Sequence, residues 1–276
     1  MLRIGSIELD CPSVMGILNI TPDSFSDGGR FTAPAVALVH ARQMAADGAA
    51  IIDIGGESTR PGAESVTEQE EIDRVVPVIE ALHSAVDVPI SVDTSKPGVM
   101  RAAVAAGAVM INDVRALQAK GALDAAAQLQ QAVCLMHMQG QPATMQEAPQ
   151  YDDVVAEVTQ FLSLRVAECL QAGLGKDLIV VDPGFGFGKT PADNIELLAN
   201  LRQLLDIGSP LMIGVSRKST LGAITGREVS GLLPASIAAA VIAVERGAHI
   251  VRAHDVAETV DALRVARALI ESDNRE

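Results

Sequence analysis

Aromatic side chains are almost absent from this chain: there is no tryptophan, one tyrosine and five phenylalanines in 276 residues. Proteins that hold single-stranded nucleic acid stack bases on aromatic platforms, and so few rings exclude that mode. Positive charge is also short. Lysine and arginine total 21 against 35 acids, a formal net charge of −14, so the overall field repels nucleic acid and anionic membrane surfaces. An anionic small substrate would need a local cluster of Lys and Arg to overcome it. The three cysteines, Cys11, Cys134 and Cys169, are widely spaced and odd in number. That pattern excludes a disulfide framework and predicts reduced thiols in a cytoplasmic protein. No segment reaches the ~18 uninterrupted apolar residues of a membrane span. Met1–Asp10 has no long apolar region and no cleavage site, so no targeting segment is expected there.

What is present is a 49% apolar composition, supplied by Ala, Val, Ile and Leu and suited to close packing of helices on strands. The length permits one large α/β barrel or two small domains. One stretch is especially informative: Leu178-Ile-Val-Val-Asp182-Pro-Gly-Phe-Gly-Phe-Gly-Lys-Thr190. Four apolar residues, three of them β-branched, read as a strand buried on both faces, as in parallel sheets. Pro183 biases Asp182 to an extended backbone, which puts the carboxylate at the strand's last position. Thr190-Pro191 reads as an N-cap with proline at the first helical position, and Asp193 completes a capping box. The glycines do not make a nucleotide loop. A Walker A motif needs glycine where Pro183 stands, and the dinucleotide pattern lacks its third glycine.

The same strand–loop–helix order recurs along the chain. Residues 2–10 alternate around Gly5-Ser6 and predict a small hairpin cap. Strands are expected at Val14–Leu18, Ala50–Ile54, Pro89–Val92, Ala108–Ile111, Val133–Met136, Leu178–Val181, Leu211–Val215 and His249–Val251. Helices are expected at Ala33–Ala46, from Thr67 to about Ala85, and at Pro97–Ala106, Gly121–Gln131, Asp152–Ala172, Pro191–Leu205, Pro234–Arg246 and Val256–Glu271. Thr67 and Glu70 form a capping box, and Pro77 is expected to kink the helix that follows. Eight such units predict an α/β fold, a TIM (β/α)8 barrel with a short N-terminal β-hairpin cap, formed by residues 1–276 as a single domain. A weak repeat supports the register. Gly48-Ala49, Gly107-Ala108 and Gly247-Ala248 each end a helix, and five residues after each glycine stand Asp53, Asn112 and Arg252. Strand-to-helix loops at 19–32, 55–67, 113–120, 137–151 and 216–233 are long, whereas helix-to-strand connections are short, which marks the carboxyl face as the functional one.

Asn19, Asp53, Asp93, Asn112, His137, Asp182, Lys218, Arg252 and His254 all fall at or just beyond strand ends. Taken singly, Asp53 reads as an acceptor for loop amides, and His137 equally well as a satisfied core histidine. Closing eight strands into a ring brings the remainder to one mouth. Asp93, Asn112 and Asp182 suit a heterocycle with adjacent N–H donors. Lys218, Arg252, His254 and Asn19 suit a phosphate group, and Asn19 offers an oxygen for Mg²⁺ bridged through that phosphate.

Three blocks then identify a resemblance over essentially the whole chain: Met15–Gly29 (MGILNITPDSFSDGG), Asp53–Gly62 (DIGGESTRPG) and Asp182–Lys189 (DPGFGFGK). With Ser216–Ser219 and Arg252–Asp255, they resemble the dihydropteroate synthases of the pterin-binding barrel family. The resemblance implies a transferase that condenses 6-hydroxymethyl-7,8-dihydropterin diphosphate with 4-aminobenzoate. It implies that Asp93, Asn112, Met136, Asp182, Phe187, Lys218 and Arg252 hold the pterin, with Arg252 on its face. It further implies that Phe25, Thr59, Arg60, Pro61, Lys218 and Ser219 surround the aminobenzoate. Asn19, Arg252 and His254 would hold the diphosphate, with Asn19 the ligand to Mg²⁺. Asp27, Lys218, Arg252 and His254 would be catalytic, Asp27 by ordering the first loop. The family is usually homodimeric. The charge pattern favours loss of diphosphate before amine attack, with no strong general base required. A corrinoid methyltransferase of the same superfamily and a non-catalytic pterin-binding paralogue are the competing readings.

Overall fold

A computed structural model of the protein describes residues 1–20, 33–58, 65–140 and 144–273. The chain opens with a hairpin, β1 (Leu2–Ile4) and β2 (Ile7–Leu9). Eight parallel strands follow: β3 (Ser13–Asn19), β4 (Ile51–Gly55), β5 (Ile90–Asp93), β6 (Met110–Asp113), β7 (Ala132–Met136), β8 (Ile179–Asp182), β9 (Met212–Ile213) and β10 (Ile250–Ala253). Their order is β8-β7-β6-β5-β4-β3-β10-β9. A bridge between Val181 and Leu211 closes the ring, helped by the Val181 N–H bond to the Pro210 carbonyl at 2.9 Å. Nine helices surround it among the described residues: α1 (Ala33–Ala46), α2 (Glu68–His83), α3 (Pro97–Ala105), α4 (Ala122–Leu129), α5 (Val154–Gln171), α6 (Pro191–Ala199), α7 (Ser219–Thr225), α8 (Leu233–Glu245) and α9 (Val256–Asp273).

Pleat and burial explain this arrangement. Alternate strand residues point to opposite faces. One set, including Val14, Leu18, Ile52, Ile54, Val92, Ile111, Val133 and Val181, packs with the helices in the outer core. The other set points into the barrel. At the amino end it is apolar, and Met15, Ile51, Met110, Cys134, Val180, Met212 and Ile250 cluster with Ile4, Ile7 and Leu9 of the hairpin. The hairpin therefore plugs that end, and the polar interior residues lie at the carboxyl end.

Most expected elements are present within a residue or two. Both capping boxes form, at Thr67/Glu70 and at Thr190/Asp193, and α2 runs through Pro77 as one helix. Three elements differ from expectation. The helix expected over 191–205 stops at Ala199, where Asn200 leaves helical geometry and its side-chain amide takes the Glu196 carbonyl at 2.9 Å. Side chains of this kind compete with the backbone ladder, and residues 201–207 continue as a tighter 3₁₀ turn. Strand β9 is two residues long instead of five, with Pro210, which lacks an N–H, two residues before it and Gly214 directly after it. Helix α7 lies within what was read as a loop. Its N-cap, Lys218, makes no side-chain capping bond.

Candidate active site

The interior positions at the carboxyl end form a register row. Asn19 pairs with Gly55, Gly55 with Asp93, and Asp93 with Asn112. On the far side Met136 pairs with Asp182. Asn112 itself pairs with Cys134, so Met136 and Asp182 stand two residues further along their strands, at the carboxyl ends of β7 and β8, and side-chain bonds tie several of the mouth residues together. Arg252 donates from Nε to Asp53 Oδ2 at 2.7 Å and from Nη2 to Asp93 Oδ2 at 2.8 Å. Asn112 donates from Nδ2 to the same Asp53 oxygen at 2.9 Å. The three residues that the glycine–alanine repeat singled out therefore meet in space. Asp53 does not accept from loop amides as expected, because it faces inward, fully buried, where Arg252 and Asn112 are its donors.

Asp182 accepts the Gly184 N–H at 2.7 Å. Burial pushes its carboxyl up to about 6, against that N–H and the charge of Lys218. Burial raises Asp93 as well, with Arg252 opposing and Asp53 reinforcing the shift. The Lys218 ammonium stands 3.9 Å from the centroid of the Phe187 ring, and burial, followed by repulsion from Arg252, pushes it down to about 8. The neighbouring carboxylates hold Arg252 above its ordinary value despite desolvation. The mouth is thus a partly desolvated set of three carboxylates, one guanidinium and one ammonium. Electrostatic contacts are strong in such surroundings.

The loop after β8 is held from beneath. Lys189, 2% exposed, sets its ammonium 2.9 Å from His137 Nδ1 and donates to the carbonyls of Gly184 at 3.0 Å and Phe187 at 3.1 Å. Three acceptors match the three donors of an ammonium. Burial keeps His137 neutral, pushed down to about 3, with Lys189 adding to the shift. His137 is therefore a satisfied structural histidine under the loop and not part of the mouth. Gly184, at φ +68°, could not be replaced, because a Cβ there would lie 1.8 Å from the His137 carbonyl oxygen. Sequence reasoning missed the Lys189 clamp, since nothing local marks a lysine as buried.

His254, just beyond β10, places Nδ1 3.1 Å from Ser216 Oγ, and that oxygen accepts the His254 backbone N–H at 3.2 Å. Burial, then Arg217 and Arg252, push the imidazole down to about 4, so it is neutral near pH 7. Arg217 is paired with Asp255. Ser219 is exposed at the start of α7, and Asn19 is exposed at the end of β3. Met136 is buried and Phe187 half-buried. Phe25, Asp27, Thr59, Arg60 and Pro61 lie outside the described residues. Among the described residues, no group of three or more His, Cys, Asp or Glu could hold a metal ion.

Comparison with known proteins gives the family and the fold. The family model described as pterin binding enzyme matches residues 15–254. The dihydropteroate synthase of Escherichia coli K12 is 53% identical over 265 residues, covering 96% of this chain and 94% of that protein. The Xanthomonas albilineans dihydropteroate synthase, solved with 4-aminobenzoic acid, superimposes with a TM-score of 0.90 at 54% identity, covering 94% of this chain and 93% of that one. A structure of dihydropteroate synthase from the same organism with 7,8-dihydropteroate gives a TM-score of 0.88 at 50% identity, covering 97% and 98%. Matching on both sequence and barrel over nearly its full length, the chain belongs to the pterin-binding enzymes and, within them, to the dihydropteroate synthases.

Proposed function

We propose that the barrel mouth condenses 6-hydroxymethyl-7,8-dihydropterin diphosphate with 4-aminobenzoate, releasing 7,8-dihydropteroate and diphosphate. The observation that carries this is the convergence of Asp93, Asn112, Asp182, Lys218 and Arg252 on one rim, tied through the bonds of Arg252. Asp182, Asn112 and Asp93 accept the ring N–H groups, Met136 and Phe187 line the pocket, and the Arg252 guanidinium lies on the ring face. Carboxylates beside a dihydropterin favour the cation left when diphosphate departs. Asn19, Arg252 and His254 receive the anionic tail, with His254 acting as a neutral donor. Lys218 and Ser219, with Phe25, Thr59, Arg60 and Pro61, border the aminobenzoate. Asp27, by the family resemblance, helps keep water from the cation.

The donor set suits Mg²⁺ only as an ion that arrives with the diphosphate. Asn19 supplies one neutral oxygen, whereas Asp53 and Asp93 are committed to Arg252, and Mg²⁺ commonly takes few protein oxygens beside substrate phosphates. Bound there, it neutralises charge on the leaving group. The whole chain acts as one barrel domain. It pairs as a homodimer through outer helices, a reading supported by exposed apolar residues Ile195, Ile224 and Ile242 on α6, α7 and α8. We place it in the cytoplasm, where its three free cysteines stay reduced.

The test is diphosphate release by the purified chain with the pterin diphosphate, with and without 4-aminobenzoate. Release that depends on the amine supports the synthase. Tight pterin binding without release would mark a paralogue, and methyl transfer from methyltetrahydrofolate to a corrinoid protein would mark the sister enzyme.

A further inference from the structure

Asp53 lies in the middle of β4 and is 0% exposed. Its Oδ2 accepts two bonds, from Asn112 on β6 and from Arg252 on β10. Those strands flank β4 at two strands' distance on either side. One buried oxygen therefore joins opposite walls of the mouth. Its other oxygen, Oδ1, has no partner, and neither has the buried hydroxyl of Ser91, its register neighbour on β5.

Two constraints follow from chemistry. A carboxylate only accepts, so Asn112 must turn its amide N–H to Asp53 and present its carbonyl oxygen elsewhere. Arg252 is held at Nε by Asp53 and at Nη2 by Asp93, two bonds that fix the plane of the guanidinium. We propose that Asp53 is a positioning residue for the pterin: it sets the amide of Asn112 and the plane of Arg252, so that the mouth offers the ring an acceptor at its edge and a flat cation at its face. This rests on reading the mouth as the pterin site.

A purely stabilising role fits the geometry less well. Ion pairs inside a protein stabilise only when every lone pair is used, and Asp53 leaves one oxygen without a bond. Without the charge on Asp53, the Asn112 amide is free to turn over and set its NH₂ where ring N–H groups arrive. Asp93 is then left alone to hold the guanidinium, in competition with the ring.

The full-length Asp53→Asn variant keeps the shape and removes the charge, and Asp53→Ala repeats the test if the amide variant does not fold. Pterin affinity is read by calorimetry with 6-hydroxymethylpterin, the Michaelis constant for 4-aminobenzoate by diphosphate release, and folding by the thermal midpoint. The expected pattern is at least a tenfold loss of pterin affinity, a Michaelis constant for 4-aminobenzoate within twofold of wild type, and a midpoint that is unchanged or higher. Asn112→Ala combined with Asp53→Asn should lose less than the product of the single effects, because both act through one amide. Unchanged pterin affinity, equal weakening of both substrates, or a loss that tracks a falling midpoint would overturn the proposal. A wild-type chain that neither binds pterin nor releases diphosphate would instead sink the functional reading.

Discussion

The replacement Asp182→Asn should separate stability from function in opposite directions. Burial raises this carboxyl from 3.8 to about 6 in the folded protein. The folded value lies above the unfolded one, so the folded state holds the proton more tightly. The cost to folding is therefore absent below the unfolded value, grows as pH rises between the two, and is complete above the folded value. A shift of that size corresponds to about 3 kcal/mol at pH 8, falling to about half of that at pH 5. Asparagine removes the charge but still offers an oxygen to the Gly184 N–H. Urea unfolding of wild type and variant at pH 8 and pH 5 should show the variant more stable by about 1–3 kcal/mol at the higher pH and by less at the lower. Pterin binding should move the other way, because losing hydrogen bonds to a charged acceptor costs about 1.5–3 kcal/mol, roughly 10- to 150-fold in affinity. Calorimetry with a pterin and diphosphate-release kinetics measure that loss. A variant that is less stable at pH 8 and turns over at the wild-type rate would refute both the burial of the charge and its role.

The pH profile of kcat/KM for the pterin diphosphate should be bell-shaped, rising between about pH 6 and 7 as Asp182 and Asp93 ionise and falling near pH 8 as Lys218 loses its proton; Asp182→Asn should leave only the part of the acid limb that belongs to Asp93, and a profile flat from about pH 5 to 9 would contradict the assignments. Lys218→Met should raise the Michaelis constants of both substrates at least tenfold without lowering the unfolding midpoint, since it removes a desolvated charge from over Phe187; wild-type kinetics would exclude that role. Gly184→Ala combines a left-handed backbone with a Cβ 1.8 Å from a carbonyl oxygen. It should cost about 3 kcal/mol or more in urea unfolding, or prevent folding, and wild-type stability would show the loop to be held differently.

The barrel was legible because apolar runs and caps obey local rules. Val, Ile and Leu clusters fix strands, Thr67 with Glu70 and Thr190 with Asp193 fix helix starts, and the glycines at 48, 107 and 247 end helices at positive φ. The departures are tertiary. Helix α7 contains Gly222 and two threonines and has no capping side chain, so nothing local separates it from a loop. The short β9 is set by how the ring closes at Val181 and Leu211. The mouth residues were legible as strand-end polar positions. Which of them touch was not, because partners such as Asp53 and Arg252 are 199 residues apart in the chain. The burial of Lys189 against His137 was invisible for the same reason.

The hairpin that fills the amino end of the barrel with Ile4, Ile7 and Leu9 makes the interior a flask with a stoppered base. Everything that reaches its depth comes and goes by the neck. On the proposed reading, a pterin seated against Asp182 and Asn112 enters ahead of a molecule held nearer the neck and departs behind it. On that reading, the pterin diphosphate should bind ahead of the aromatic amine, and an amine analogue in the neck should delay escape of whatever lies beneath it.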